Sequence, residues 1–243
     1  MNTKVINSYT AGLRDGLPIG LGYLSVSFAF GILVVKEGLS ALTAAAISMT
    51  NLTSAGQFAG LSVILAGATL AEMALTQFII NLRYALMSIT LSQRMDDSVD
   101  RFTRLLLAFF VTDEIFAVAV SRPEHIGQRY MWGLATAPYI GWSSGTILGA
   151  LCGSILPEPL TSALGIAIYG MFIAIIIPPA KKERSVLVVV VAASALSCLL
   201  NLVPVLAAWF AATPGLSIIL CAVAASTLGA LLFPVQQEGG NPA

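Results

Sequence analysis

The residue types that could do chemistry in this chain sit where charge is least expected. Met73 to Gln93 reads MALTQFIINLRYALMSITLSQ, apolar and long enough to cross a bilayer, with Arg83 near its middle. Insertion scales put an arginine at that depth at about 2.5 to 3.5 kcal/mol. A guanidinium does not shed its proton in a protein, so it needs an acceptor: a carboxylate, carbonyls, water or an anionic ligand. The next apolar stretch, Leu105 to Ser121, carries Thr112-Asp113-Glu114 at its own centre. A cation in one segment and two carboxylates in its neighbour suggest an interior polar site. The blander reading is an ion pair that only fixes helix register.

Composition sets the frame for these charges. The chain has 243 residues, of which 57% are hydrophobic and 10% charged, and its mean hydropathy is +0.89. Soluble domains carry about 25% charged residues. We therefore expect an all-α polytopic integral membrane protein, organised as a single transmembrane domain over residues 1–243. The formal net charge is zero, so no basic face points to nucleic acid. The first apolar run, Leu17 to Val35, has full span length and no small-residue cleavage pattern, so it reads as a span rather than a cleaved leader. Cys152, Cys198 and Cys221 lie singly in apolar segments and His125 lies in a polar loop, a spacing that predicts no metal site. No Gly-x-x-x-x-Gly-Lys-[Ser/Thr] occurs, so no nucleotide-driven step is expected and no cofactor is implied.

Seven or eight hydrophobic segments must position the charges. Gly38 to Ala71 is uncharged for 34 residues; a straight helix of that length would measure about 51 Å against a core of about 30 Å. It should break at Thr50 to Phe58, where small and hydrogen-bonding residues interrupt the apolar pattern. Such a discontinuous helix is tolerated at membrane depth where it is buried or lines a cavity, and it builds substrate sites in many transporters. A small-residue packing face is the alternative. Later spans are read at Met131 to Leu156, Leu160 to Pro178, Ser185 to Phe210 and Pro214 to Phe233.

An internal repeat is visible at an offset of 120 residues, where Pro18-Ile19 falls on Pro138-Tyr139 and Asn81-Leu82 on Asn201-Leu202. It would divide the chain into halves of roughly 16–121 and 130–235. If all eight segments cross, lysines and arginines divide seven to four in favour of the N-terminal side. If the acidic segment enters and leaves on one side, the division is nine to two with the N-terminus outside, and the repeat becomes an inverted one. The second count is the more asymmetric.

Three motifs taken together, Ser54-Ala55-Gly56-Gln57-Phe58, Asn81-Leu82-Arg83-Tyr84 and Thr112-Asp113-Glu114, make the chain resemble the AzlC family. These are the large subunits of two-component branched-chain amino-acid exporters of bacteria. The likeness begins at Asp15-Gly16-Leu17-Pro18 and covers nearly the whole chain. Tyr84 stands where the family commonly carries histidine, so no role of that histidine is carried over. The resemblance implies efflux of valine, leucine, isoleucine or methionine-like substrates across the cytoplasmic membrane, with a small AzlD-type partner subunit. Energy would then come from an ion or proton gradient, with Asp113 and Glu114 as titrating groups. Arg83 would either hold a substrate carboxylate or serve as the counter-ion of Asp113. Ser54, Gln57 and Asn81 would contact an amino or carboxylate group. A channel or pore subunit, or a transporter of another small organic anion or zwitterion, is the alternative; an enzyme is not expected.

Overall fold

The computed structural model describes residues 7–153, 176–211 and 213–234, together with positions 159 and 173. In chain order the helices are α1 (Tyr9–Lys36), α2 (Ala41–Thr50), α3 (Ser54–Leu65), α4 (Leu70–Arg94), α5 (Arg101–Ala108), α6 (Asp113–Val120), α7 (Gln128–Cys152), α8 (Arg184–Leu202), α9 (Pro204–Ala211) and α10 (Pro214–Leu232). The chain is nearly all helical. The expected span from Leu160 to Pro178 lies almost wholly outside the described residues. Four described helices, α1, α4, α8 and α10, are long and apolar enough to cross a membrane.

The chain divides into two compact units, one formed by residues 1–61 and 80–170 and the other by residues 62–79 and 171–243. These are not the sequence halves 16–121 and 130–235.

The first unit is built on α1 and α7. Gly12 faces the Tyr130 carbonyl, Gly20 that of Ala137, and Gly31 that of Thr146; from the other side Gly133 faces Tyr9 and Gly149 faces Phe28. At each place a Cβ would collide with backbone, so the two helices meet main chain to main chain, as small residues allow between membrane helices. Low numbers of α1 meet low numbers of α7 throughout, so the pair runs parallel. Gly22, on the other face of α1, has open space around it.

Two short hairpins pack onto this pair from opposite ends. Ser40 caps α2 by accepting from the Thr43 amide at 3.0 Å. α2 then descends along α7, with Ser48 bonded to Thr146 at 2.7 Å and the Met49 carbonyl accepting from the Tyr139 hydroxyl. After the break at residues 51–53, α3 climbs back, so that Leu61 joins Ala44, Phe30, Val34 and Ala150 in one apolar cluster. Two glycines at φ +83° and +61°, Gly38 and Gly67, stop α1 and α3 in the left-handed conformation that favours glycine.

The second hairpin enters from the N-terminal end of α1. Asp100 caps α5, which rises until Phe110 meets Trp132 and Tyr139 edge-on. After residues 109–112, α6 returns, and Arg94 donates to the carbonyls of Val120 and Arg122, satisfying acceptors freed at the end of α6. Arg122 pairs with Asp15 at 3.4 Å and lies 3.9 Å over the Tyr130 ring.

Two expectations change here. The acidic segment does turn back, but so does the uncharged stretch from Gly38, which both sequence counts take as a crossing. With both turning back, α1 and α7 run the same way, so the inverted form of the repeat is not what this pair shows. Arg14, Arg94, Arg101, Arg104, Arg122 and Arg129 then share one end of the first unit, and Lys36 lies at the other. The nine-to-two count had put Lys36 with the arginines and Arg14 across from them.

In the second unit α8 packs on α10. Pro204 separates α8 from α9, since proline lacks the donor and clashes one turn back inside a helix but is accepted at a helix start. Glu72, on the first turn of α4 and 8% exposed, accepts from the Gly215 amide at 2.9 Å and so caps α10 from another segment. Few residues of α8 and α10 are buried, and both are apolar all round, as helices facing lipid are.

Two expected outcomes follow from this packing. Gly20→Ala should lower the melting temperature in detergent, because backbone must move to admit the methyl, at about 1 to 3 kcal/mol. Gly22→Ala should leave it unchanged or raise it, because helix propensity favours alanine by up to about 1 kcal/mol. Equal effects at both positions would contradict the close approach. Single cysteines at Asp97 and His125, in a background without Cys152, Cys198 and Cys221, should be labelled from the same side; labelling from opposite sides would reject the α5–α6 hairpin.

Candidate functional site

Both hairpins break about halfway along the α1–α7 pair, at the level of Tyr23 and Tyr139. Each break exposes backbone donors that an apolar medium cannot satisfy. At the first, Thr53 caps α3 by accepting from the Gly56 amide at 3.2 Å. At the second, Thr112 caps α6 by accepting from the Ile115 amide at 3.4 Å. Asp113 and Glu114 fall in the first turn of α6, where the helix dipole favours negative charge.

Arg83, on α4, reaches this second break. Its Nη1 lies 2.7 Å from Asp113 Oδ2. Its Nη2 donates to the Tyr84 hydroxyl at 3.0 Å, and the guanidinium carbon stands 4.8 Å from the centre of the Tyr84 ring. The two charged side chains remain 44% and 42% exposed, so the pair is open on one side rather than sealed.

Glu114 turns to a different neighbour. Its Oε2 accepts from the Tyr23 hydroxyl of α1, which also lies 2.8 Å from Thr112 Oγ1. Trp142 of α7 meets the Tyr23 ring edge-on at 5.1 Å.

A pocket of about 170 Å³ lies between the two tips. Residues 50–53 of the first break, Asn81 and Tyr84 of α4, and Ala108, Phe109 and Val111 around the second break line it. Its wall thus combines hydroxyl and amide groups with aliphatic and aromatic surface, the mixture that binding sites for small molecules use.

Of the residues singled out from sequence, Arg83 and Asp113 meet, Glu114 follows Asp113 in the first turn of α6 but turns to Tyr23, and Asn81 lines the pocket. Ser54 opens α3 next to the pocket-lining Thr53. Gln57 goes elsewhere. It is 1% exposed, its amide donates to the Asn51 carbonyl, and its Oε1 accepts from Trp142 Nε1 at 3.2 Å and Ser48 Oγ at 3.3 Å. Its geometry is that of a staple for the first break, and it is not among the pocket residues. Sequence reasoning missed Tyr23, Trp142 and Ser48. A lone tyrosine or serine in an apolar helix has no pattern, and Trp142 falls within an expected span that nothing else marked.

Comparison with known proteins bears on the same stretch. The AzlC protein family model matches residues 18–156, which take in α7, both hairpins and the whole of α4. The inner membrane protein YgaZ of Escherichia coli (strain K12) is 29% identical over 197 residues, covering 78% of this chain and 80% of that protein. An uncharacterized membrane protein of Archaeoglobus fulgidus is 34% identical over 175 residues, covering 71% of this chain and 76% of the relative. One from Helicobacter pylori is 24% identical over 156 residues, covering 61% and 68%. No solved structure matches.

The Arg83–Asp113 contact makes a measurable demand. Breaking a fully buried pair costs about 3 to 5 kcal/mol, and an exposed pair is worth about 0 to 1 kcal/mol. With both groups partly exposed, Arg83→Ala and Asp113→Asn should each destabilise the protein by an amount between those limits. The double variant should lose less than the sum of the two, as a double-mutant cycle on thermal stability in detergent would read out. Additive losses would mean that the pair contributes no coupling.

Proposed function

The chain belongs to the AzlC family, and from that premise we propose that it is the large subunit of a two-component secondary transporter. It would export branched-chain or similarly apolar L-amino acids across a bacterial cytoplasmic membrane, driven by the proton gradient, together with a small AzlD-type membrane subunit. The observation that carries this reading is the pocket between the hairpin tips, with a permanently charged guanidinium resting on its lining Tyr84. Leu52, Ala108, Phe109 and Val111 offer an aliphatic side chain an apolar wall. Such a wall distinguishes poorly between chains one methylene apart, which suits a set of substrates rather than one. Thr50, Asn51, Thr53, Asn81 and Tyr84 offer hydrogen bonds to amino and carboxylate groups.

Arg83 has two roles within this reading. Paired with Asp113 it keeps the tip of α6 in place; released from it, its planar fork matches a substrate carboxylate in a bidentate pair. Both acidic residues of the α6 tip are available for coupling. The six arginines at the N-terminal end of α1 favour placing that end in the cytoplasm, because basic residues are retained on that side.

Proteoliposomes holding this chain and the small subunit should show counterflow of labelled leucine, valine or isoleucine, and the chain alone should show little. Counterflow separates a carrier from a pore, because a pore does not exchange one substrate for another against a gradient. Full transport by the single chain would remove the partner from the reading. Counterflow of another small organic anion or zwitterion, with none of the branched-chain amino acids, would move the substrate class. Arg83→Lys should fold and not transport, since a point charge offsets Asp113 but cannot reproduce the fork; transport by that variant would remove the carboxylate clamp.

A further inference from the structure

Asp113 and Glu114 are adjacent in sequence but about 100° apart around α6, so they meet different neighbours. Asp113 faces a guanidinium at 2.7 Å. The other ion pairs among the described residues join Arg122 to Asp15 and to Glu124. Glu114 therefore has no cation within 4.0 Å there, and it meets the Tyr23 hydroxyl instead. We propose that Glu114 carries the exchangeable proton of the coupled cycle, that Asp113 stays ionised as the fixed counter-charge of Arg83, and that Tyr23 is the positioning residue through which Glu114 can hold or release its proton. The proposal rests on the transporter reading above and divides a role left there to both acids.

The hydroxyls make the division. An ionised carboxylate only accepts hydrogen bonds, a protonated one also donates, and a hydroxyl does both. With Glu114 ionised, Tyr23 donates to Oε2 and accepts from the Thr112 hydroxyl. With Glu114 protonated, the carboxyl donates to the Tyr23 oxygen, and Tyr23 donates to Thr112 Oγ1, 2.8 Å away. The same heavy atoms serve both states, and only two hydroxyl hydrogens turn. Trp142 against the Tyr23 ring holds that hydroxyl in register.

Asp113 has a guanidinium where Glu114 has a hydroxyl. Arg83 donates only and cannot lose its proton, so a proton placed on the Asp113 oxygen it faces would have no acceptor. It would also leave the guanidinium without its counter-charge. The groups around Glu114 are Tyr23 from α1, Thr112 and Asp113 from its own segment, Arg83 and Tyr84 from α4 beyond Asp113, and the uncharged Trp142 from α7. The cation in this set is already matched by Asp113.

The experiment uses the chain co-reconstituted with the small subunit and has two arms. In the first, infrared difference spectra across a pH step follow the carbonyl band of protonated carboxyls. That band should vanish in Glu114→Gln, persist in Asp113→Asn and titrate at a shifted pH in Tyr23→Phe. If Asp113→Asn does not fold, Arg83→Ala/Asp113→Asn replaces it, since no orphan charge remains. A band that persists in Glu114→Gln and vanishes with Asp113 would overturn the assignment; an unshifted titration in Tyr23→Phe would remove the role of Tyr23. In the second arm, Glu114→Gln should lose the acceleration of leucine transport that an imposed pH gradient gives the unaltered protein, while Asp15→Asn, remote from the α6 tip, should keep it. Retained acceleration would overturn the coupling role. If the unaltered protein shows no counterflow of any branched-chain amino acid, the transporter reading fails, and the infrared arm still decides which carboxyl carries the proton.

Discussion

Main chain that leaves a helix in an apolar medium must find its hydrogen-bond partners within the protein, and the first unit is arranged around meeting that demand twice. The breaks at residues 51–53 and 109–112 each free amides and carbonyls where no water would reach them from lipid. Each is met with a threonine at the cap of the returning helix, and at the first break Gln57 of α3 and Tyr139 of α7 donate to the carbonyls of Asn51 and Met49. Gln57 is the fullest case, since one side chain accepts from two neighbours and donates to a break carbonyl. Polar residues in these segments therefore divide into those used up in holding the breaks open and those left facing the pocket.

Charge follows the same division. The tip of α6 gathers two carboxylates at a helix N-terminus, which stabilises negative charge and concentrates it. Arg83 offsets one of them and leaves the other to hydroxyls. The two acids differ by a single position in the chain and by everything in their surroundings, which is how environment rather than residue type assigns roles to paired acids.

Much of this was legible in the sequence, for physical reasons. Arg83 and Asp113 stand out because charge in apolar segments is conspicuous, and the length of an uncharged stretch forces a break near Thr50. The return of the acidic segment was legible from the distribution of arginines. The return of α3 was not, since an uncharged stretch of 34 residues is also long enough to cross, and Lys36 is the single basic residue at its mouth. Gln57 read as a ligand because sequence shows that an amide is present and not which way it faces. Tyr23 and Glu72 were invisible for opposite reasons: one is an isolated aromatic in an apolar helix, the other an ordinary acid on a first helical turn. The glycines of α1 and α7 carry no charge and break no apolar run, so nothing in the sequence singled them out, although they are what brings the two helices together.

That glycine contact has a mechanical consequence. Helices that pack through long side chains can slide, because rotamers exchange as they move. α1 and α7 touch main chain to main chain at intervals from Gly12 and Gly133 to Gly31 and Gly149, with side-chain contacts such as Tyr23 against Trp142 set between those places. They behave as one stiff post, against which sliding would drive peptide groups into one another. Motion within the first unit is then left to the parts mounted on the post by side chains, the two hairpins and the helix bearing Arg83. Their tips enter from opposite ends, so each hairpin is moored at one end of the unit and the two tips face each other across the pocket.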